Sequence, residues 1–230
     1  MQGAAVVTEE EAKRIVDAIS AERFQPFLDE CGGDPLVALR LYYWDGEASR
    51  AFLSALRDFE VAMRNSFHAK LAGRYSRADW WDSPRVQLTG KGLQQVRNAR
   101  SALQQELVTG VTADDMVAKL TLGFWVGLTG RGRNYEMQFW NPALRHAFRG
   151  YQGRRGSLQQ QLDHVRRFRN RIGHHERICH RHLEKDFETL LELMEYVSPE
   201  KAALHRQFSQ IPEVLARKPL VLSGAEPVRL

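Results

Sequence analysis

Apolar residues along this chain recur at spacings of three and four, as in helices that bury one face, and strand-like alternation is scarce. The clearest series is Phe52, Leu56, Phe59, Met63, Phe67 and Leu71, which predicts a long helix from about Glu47 to Gly73. Thr8 with Glu11 reads as a capping box for a first helix to about Ser20, and a second runs from Ser20 to Cys31, stopped by Gly32-Gly33. Asp34-Pro35 starts a helix through Trp44, and Asp45-Gly46 reads as a break before the long one. Ser76 to Gly92, with Trp80-Trp81 and Pro84, reads as a loop. Further helices are expected over about Leu93–Leu107 and over Ala113–Leu128, the latter capped by Thr112 with Asp115. A Gly/Arg loop follows at Thr129–Arg133, then a short helix from Asn141-Pro142 to Phe148 and a polar linker at Gly150–Gly156. Ser157 is expected to cap a helix with Leu158, Leu162, Val165, Phe168 and Ile172 inside, and two more helices cover about 182–197 and 199–216. The reading is all-α: a helical arm over 1–33, a helical domain over 34–218 and an irregular tail over 219–230.

Charge changes this picture more than overall composition does. Between Arg145 and Arg181 ten arginines face only Asp163 and Glu176, so this window carries +8 of a chain whose net charge is +5. A basic block on a mildly acidic remainder suits a phosphate-binding face, and a choice of Arg over Lys favours forked contacts. The plainer reading is a solvated arginine-rich helix face. No apolar run approaches the ~20 residues that span a bilayer, so no membrane partner is expected. The opening residues turn acidic without an apolar core, and the cysteines are only Cys31 and Cys179; both features lead to an expectation of no secretory leader and a reducing, cytoplasmic setting.

The chemistry concentrates in Arg169-Asn170-Arg171-Ile172-Gly173-His174-His175-Glu176. An imidazole moves protons near neutral pH, and a guanidinium forks onto phosphate oxygens. Asn170 and His174 share a helix face at i, i+4, so the amide has the reach to orient the imidazole or hold a phosphate. Arg169 falls on the apolar meridian of Leu162 and Val165, where a charge needs a partner or ligand. On an unbroken helix Arg169 and His174 lie about 140° apart. Either Gly173 bends or ends the helix there, or the two side chains meet counterparts across a dimer axis. Glu60, with Arg64 and Asn65 one turn on, is a second polar intrusion into an apolar face; it pairs with Arg169 or Arg64, or makes only a local i, i+4 ion pair.

The motif resembles the signature of the Abi-like (abortive infection) proteins of the HEPN superfamily. Segments Glu60-Val61-Ala62-Met63-Arg64-Asn65, Leu122-Gly123-Phe124-Trp125-Val126 and Trp140-Asn141-Pro142-Ala143-Leu144 with Ala147-Phe148 follow that family's pattern in the same order, over roughly Pro35 to Pro199. Arg177-Ile178 departs from it. The resemblance implies a HEPN-type helical bundle and a metal-independent endoribonuclease, without cofactor, acting as a homodimer in defence or beside an antitoxin. His174 is then general base or acid, Arg169 stabilises the phosphoryl oxygens, and Asn170 orients His174 or the phosphate. Glu60, Arg64, Asn65, His175 and Glu176 support them, His175 as a second proton-transfer group or a structural one. Arg166, Arg167, Arg171, Arg177 and Arg181 track the backbone of an RNA, tRNA or another structured one.

Two other readings use the same residues. His174, His175, Cys179, His180 and His182 bunch as zinc ligands do, without a second ligand pair at finger spacing. A non-catalytic module would use the same pocket to hold RNA, a nucleotide or a partner protein. Trp80-Trp81 and Phe124-Trp125 are base-stacking candidates, the latter pair better read as core.

Overall fold

The computed structural model describes residues 9–106 and 110–229, and among them the regular structure is entirely helical. Thr8, the expected first cap, lies outside the described residues. The helices are α1 (Glu9–Ile19), α2 (Ala21–Glu30), α3 (Pro35–Tyr75), α4 (Gly90–Glu106), α5 (Ala113–Lys119), α6 (Leu122–Gly127), α7 (Arg155–Gly173), α8 (Leu183–Val197), α9 (Pro199–Phe208), α10 (Ile211–Ala216) and α11 (Lys218–Ser223). No helix among the described residues is long and apolar enough to cross a membrane.

The chain forms two compact units. One comprises the described residues of Met1–Ala55, Arg171–Phe187 and Phe208–Leu230; the other comprises Leu56–Asn170 and Glu188–Gln207. The arm expected over 1–33 therefore belongs, as far as it is described, to the same unit as the start of α3 and the chain's end. Phe24 and Phe27 of α2 are buried there with Leu41, Trp44, Phe52, Ile178 and Val221.

Several boundaries differ from the sequence reading. Asp45-Gly46 does not break the chain, and α3 runs through both for 41 residues. The Asp45 carboxylate, which would compete with the local backbone at a turn, is engaged instead by the backbone N–H groups of Ile178 and Cys179. The stretch read as one helix over Ala113–Leu128 is two: Thr112 and Asp115 close the expected capping box, but Thr121 caps α6 anew by accepting from the Phe124 N–H. The helix carrying the motif starts at Arg155, so Ser157 lies inside it and does not cap it. Asn141-Pro142 follows a π-helical turn over Glu136–Trp140, and only a 3₁₀ turn forms at Leu144–Ala147.

The end of the chain is more ordered than expected. The single helix read over 199–216 is interrupted, and the tail read as irregular opens with α11, where Val221 is fully buried. Beyond it, the buried Arg217 guanidinium donates to Glu226 and to the carbonyl of Pro227, and pairs with Glu47. The N–H of Arg229 donates to the same Glu47 carboxylate at 3.0 Å. A buried acid on α3 thus holds a segment that has no apolar period of its own.

The second unit is built on Phe59, Met63, Phe67 and Leu71 of α3 and Leu158, Leu162, Val165 and Phe168 of α7, all buried. Its aromatic centre is Trp80, 0% exposed, with Phe124, Trp125 and Phe139 rings within 5.9–6.3 Å. Trp80 and Trp81 are therefore core residues on a short 3₁₀ turn and do not present faces to bases.

Candidate functional site

Helix α7 ends inside the motif, and the manner of its ending decides where the histidines go. The N–H of Glu176 donates to the carbonyl of Arg171 at 2.8 Å and that of His175 to Ile172 at 3.1 Å, the paired bonds of a Schellman stop. The residue that must then turn left-handed is His175, with φ 56°, and not the glycine two positions before it. Glycine is the usual occupant because it has no Cβ, so a histidine here is held by its surroundings. Arg23 of α2 donates to the His175 carbonyl, and Arg177 donates to the Pro26 carbonyl at 3.0 Å and to Glu30 at 3.2 Å. Arg171 donates to the Arg177 carbonyl at 3.4 Å. Past the turn, one oxygen of the buried Asp45 accepts from Ile178 at 2.7 Å and from Cys179 at 2.6 Å.

This turn borders a cleft of about 770 Å³ lined within one unit by residues from three directions in sequence. His174, His175, Arg171 and Arg177 come from the motif and its sequel. Tyr42, Tyr43 and Arg50 come from α3, and Arg23 and Phe27 from α2. His174 and His175 are exposed, as proton carriers must be to meet a substrate. Glu176 also lines the cleft, 3.8 Å from Arg171.

The surrounding electrostatics are positive near the motif and shielded beneath it. Burial, followed by the guanidiniums of Arg177, Arg171 and Arg181, holds His180 below the usual imidazole range. Burial pushes Asp45 above the usual carboxylate range, against the pull of its two N–H donors. Burial and the carboxylates of Asp45 and Glu30 push the Cys179 thiol well up, and its Sγ donates to Glu30 at 3.6 Å. Among the described residues no group of three or more His, Cys, Asp or Glu side chains is placed to hold a metal ion.

Arg169 and Asn170 belong to the other unit, which ends its long segment at Asn170, and they are not among the residues lining the cleft. Arg169 is exposed and does not sit on the apolar stripe; its Nε donates to Glu60 at 3.3 Å, with the Glu60 side chain largely covered. Of the two partners considered for Glu60 it is Arg169 that is found, while Arg64 donates to the Ala118 carbonyl at 3.2 Å. Asn65 is exposed.

Compared with family models, curated proteins and solved structures, the chain finds no match. Several arginines of the basic window that dominates the sequence are paired with carboxylates. Arg166 and Arg167 pair with Asp163 at 2.7 and 3.2 Å, and Arg155 with Glu136 at 3.2 Å. Arg181 forks onto the buried Asp186 through two bonds of 2.8 Å, which turns a candidate RNA contact into a structural pair. Arg23, Tyr42, Tyr43, Asp45 and Arg50 were not legible as site residues. The one available signal was Asp45-Gly46, a turn pair in the middle of a strong helical period.

Proposed function

We propose that this chain is a metal-independent endoribonuclease whose chemistry is carried in the cleft holding His174 and His175. The observation that supports the reading is that one cleft is lined by two exposed imidazoles and by the guanidiniums of Arg171 and Arg177. Imidazoles exchange protons at neutral pH, and forked guanidiniums bind the oxygens of a phosphodiester.

In this mechanism a ribose 2′-OH gives its proton to one imidazole as its oxygen attacks the adjacent phosphorus. The P–O5′ bond breaks, and the departing O5′ takes a proton from the other imidazole. The products are a 2′,3′-cyclic phosphate and a 5′-OH. His174 is the first candidate for base or acid and His175 the second; acid–base assistance of this kind contributes ~10²–10⁴-fold. A guanidinium well placed on the phosphoryl oxygens contributes about 3–4 kcal/mol, a role open to Arg171 in the cleft. The resemblance gives that role to Arg169, with Asn170 beside it. On the same reading the chain is an abortive-infection or toxin-type effector, dimeric and restrained by an antitoxin.

The test is incubation of wild type, His174→Ala and Arg169→Ala with tRNA and a structured RNA in EDTA, with the product ends mapped. Cleavage by wild type that leaves 2′,3′-cyclic phosphate and is lost in His174→Ala, with RNA binding retained, is the expected result. Loss in Arg169→Ala as well assigns Arg169 to the chemistry, and unchanged cleavage there leaves it a partner of Glu60 only. Binding of RNA without cleavage by wild type replaces the enzyme with a binding module. Sedimentation as a monomer at micromolar concentration removes the dimer from the proposal.

A further inference from the structure

Within the cleft, the arginines without a carboxylate partner are not those of the basic window. Among the described residues lining the cleft, Arg171, Arg177 and Arg229 have carboxylate partners in Glu176, Glu30 and Glu213. Arg23 and Arg50 have none: each donates only to a backbone carbonyl, of His175 and of Arg229 respectively. Both are exposed, so neither charge is balanced by burial in a pair. Of the carboxylates on the same lining, Glu176 and Glu47 are paired with Arg171 and Arg217, and Asp45 is buried on the N–H groups of Ile178 and Cys179, which leaves Glu22 as the exposed acid beside the two guanidiniums.

Aromatic surface lies in the same cleft. Tyr42 and Tyr43 are half-buried, 5.4 Å apart edge to face, and Phe27 stands 5.3 Å from Tyr42 in the same manner. Edge-to-face packing keeps the ring planes non-parallel, so part of a ring face remains available for a further aromatic partner. Next to them α3 carries Gly46, a mid-helix glycine, which is less favourable there than alanine. A Cβ there would meet nothing within 4 Å, so packing does not require the glycine. It lines the cleft, where its missing side chain leaves room.

Building on the ribonuclease reading, we propose that this cleft binds an unpaired RNA strand, with flanking phosphates on Arg23 and Arg50 and a base against Tyr42–Tyr43 over Gly46. Helix α2 and the first part of α3 are then the binding surface, and the substrate class is single-stranded or looped RNA. A duplex keeps its bases stacked on each other and has none to offer the tyrosines.

The probe is a fluorescently labelled, unstructured 2′-O-methyl RNA oligonucleotide, which lacks the nucleophile for cleavage, titrated by anisotropy at several salt concentrations. Arg50→Gln and Arg23→Gln are each expected to weaken binding and to flatten the log K against log salt slope by about 0.7, the share of one phosphate contact on a single strand. Tyr43→Leu is expected to cost about tenfold in Kd, with Tyr43→Phe close to wild type, as stacking requires. Gly46→Leu fills the space and is expected to weaken binding while raising thermal stability, a divergence that misfolding does not produce. Arg206→Gln, outside the cleft and paired with Glu195, leaves binding unchanged.

The hydrogen bond of Arg50 goes to the Arg229 carbonyl, so Arg50→Gln keeps the test sound if Arg23→Gln disturbs the histidine turn. Binding that is indifferent to Arg50, Tyr43 and Gly46, or as tight for a duplex as for a single strand, overturns the inference while leaving the ribonuclease reading intact. Wild type that neither binds the oligonucleotide nor cleaves RNA overturns both.

Discussion

Asp45 offers the sharpest separation between a charge and an acceptor. Its carboxylate is 7% exposed, and one oxygen accepts from the N–H groups of Ile178 and Cys179, themselves buried. In Asp45→Ala both donors lose their acceptor inside the protein, at ~1–3 kcal/mol each. Water entering the vacated space recovers part of this, so a loss of about 2–4 kcal/mol is expected. With a urea m-value of ~1–3 kcal/mol/M, that loss lowers the unfolding midpoint by about 1 M or more. Asp45→Asn keeps an oxygen with two lone pairs in place, and its expected deficit at neutral pH is under ~1 kcal/mol.

The pH dependence has a definite sign. Because burial raises the Asp45 pKa in the folded protein, the folded state holds that proton more tightly than the unfolded chain does. The contribution of this group to stability therefore declines as pH rises from the ordinary carboxylate value of ~3.9 through the raised folded value. Asparagine has no proton to lose, so the difference between Asp45→Asn and wild type should shift toward the variant over that window. The assay is urea unfolding of the three proteins between mildly acidic and neutral pH. Asp45→Asn as unstable as Asp45→Ala at neutral pH, or a deficit that grows as pH rises, would refute the reasoning. Cleavage should follow the same order, since the turn Asp45 braces carries His174.

Two further outcomes are expected. His175→Gly should raise stability by ~1 kcal/mol in a thermal melt, because it relieves a left-handed non-glycine residue. The bond from Arg23 goes to the backbone carbonyl and survives this change, so a concurrent loss of cleavage would mark the His175 imidazole as a proton carrier. Asp58 receives Lys201 at 3.1 Å and His205 at 3.1 Å; burial raises its pKa, but the hydrogen bonds from Lys201 and His205 outweigh burial and hold it below the usual range. Its contribution is thus present above the ordinary carboxylate pKa and lost as pH falls through the lowered folded value. Asp58→Asn should destabilise at neutral pH, with the gap closing in strong acid, and a gap independent of pH would contradict the assignment.

Much of the helical layout was legible because burial periodicity and capping act locally. Every position of the Phe52-to-Leu71 series is buried, as are Leu158, Leu162, Val165, Phe168 and Ile172, and the Thr112–Asp115 box closes as written. Local rules failed where a distant partner took over. Asp45 stays helical because residues far along the chain supply its donors, and Trp80-Trp81, in what reads as a polar loop, becomes core because Phe124 and Phe139 surround it.

For the candidate site the division is the same. The sequence by itself determined that the chain is helical, and that a pair of histidines stands at the end of a patterned helix in an arginine-rich stretch; that the helix stops at Gly173 and leaves both imidazoles exposed came from the fold. Which arginines carry free charge was decided by tertiary structure alone. Counting charges along the chain favours the window from Arg145 to Arg181, but Asp163, Glu60 and Asp186 neutralise several of its members in space. Arg23 and Arg50, unremarkable in sequence, are left without carboxylates and line the cleft with Tyr42 and Tyr43. The physical reason is that helix periodicity depends on neighbours three and four residues away. Charge compensation and cleft lining depend on which distant segments the fold brings within a few ångströms.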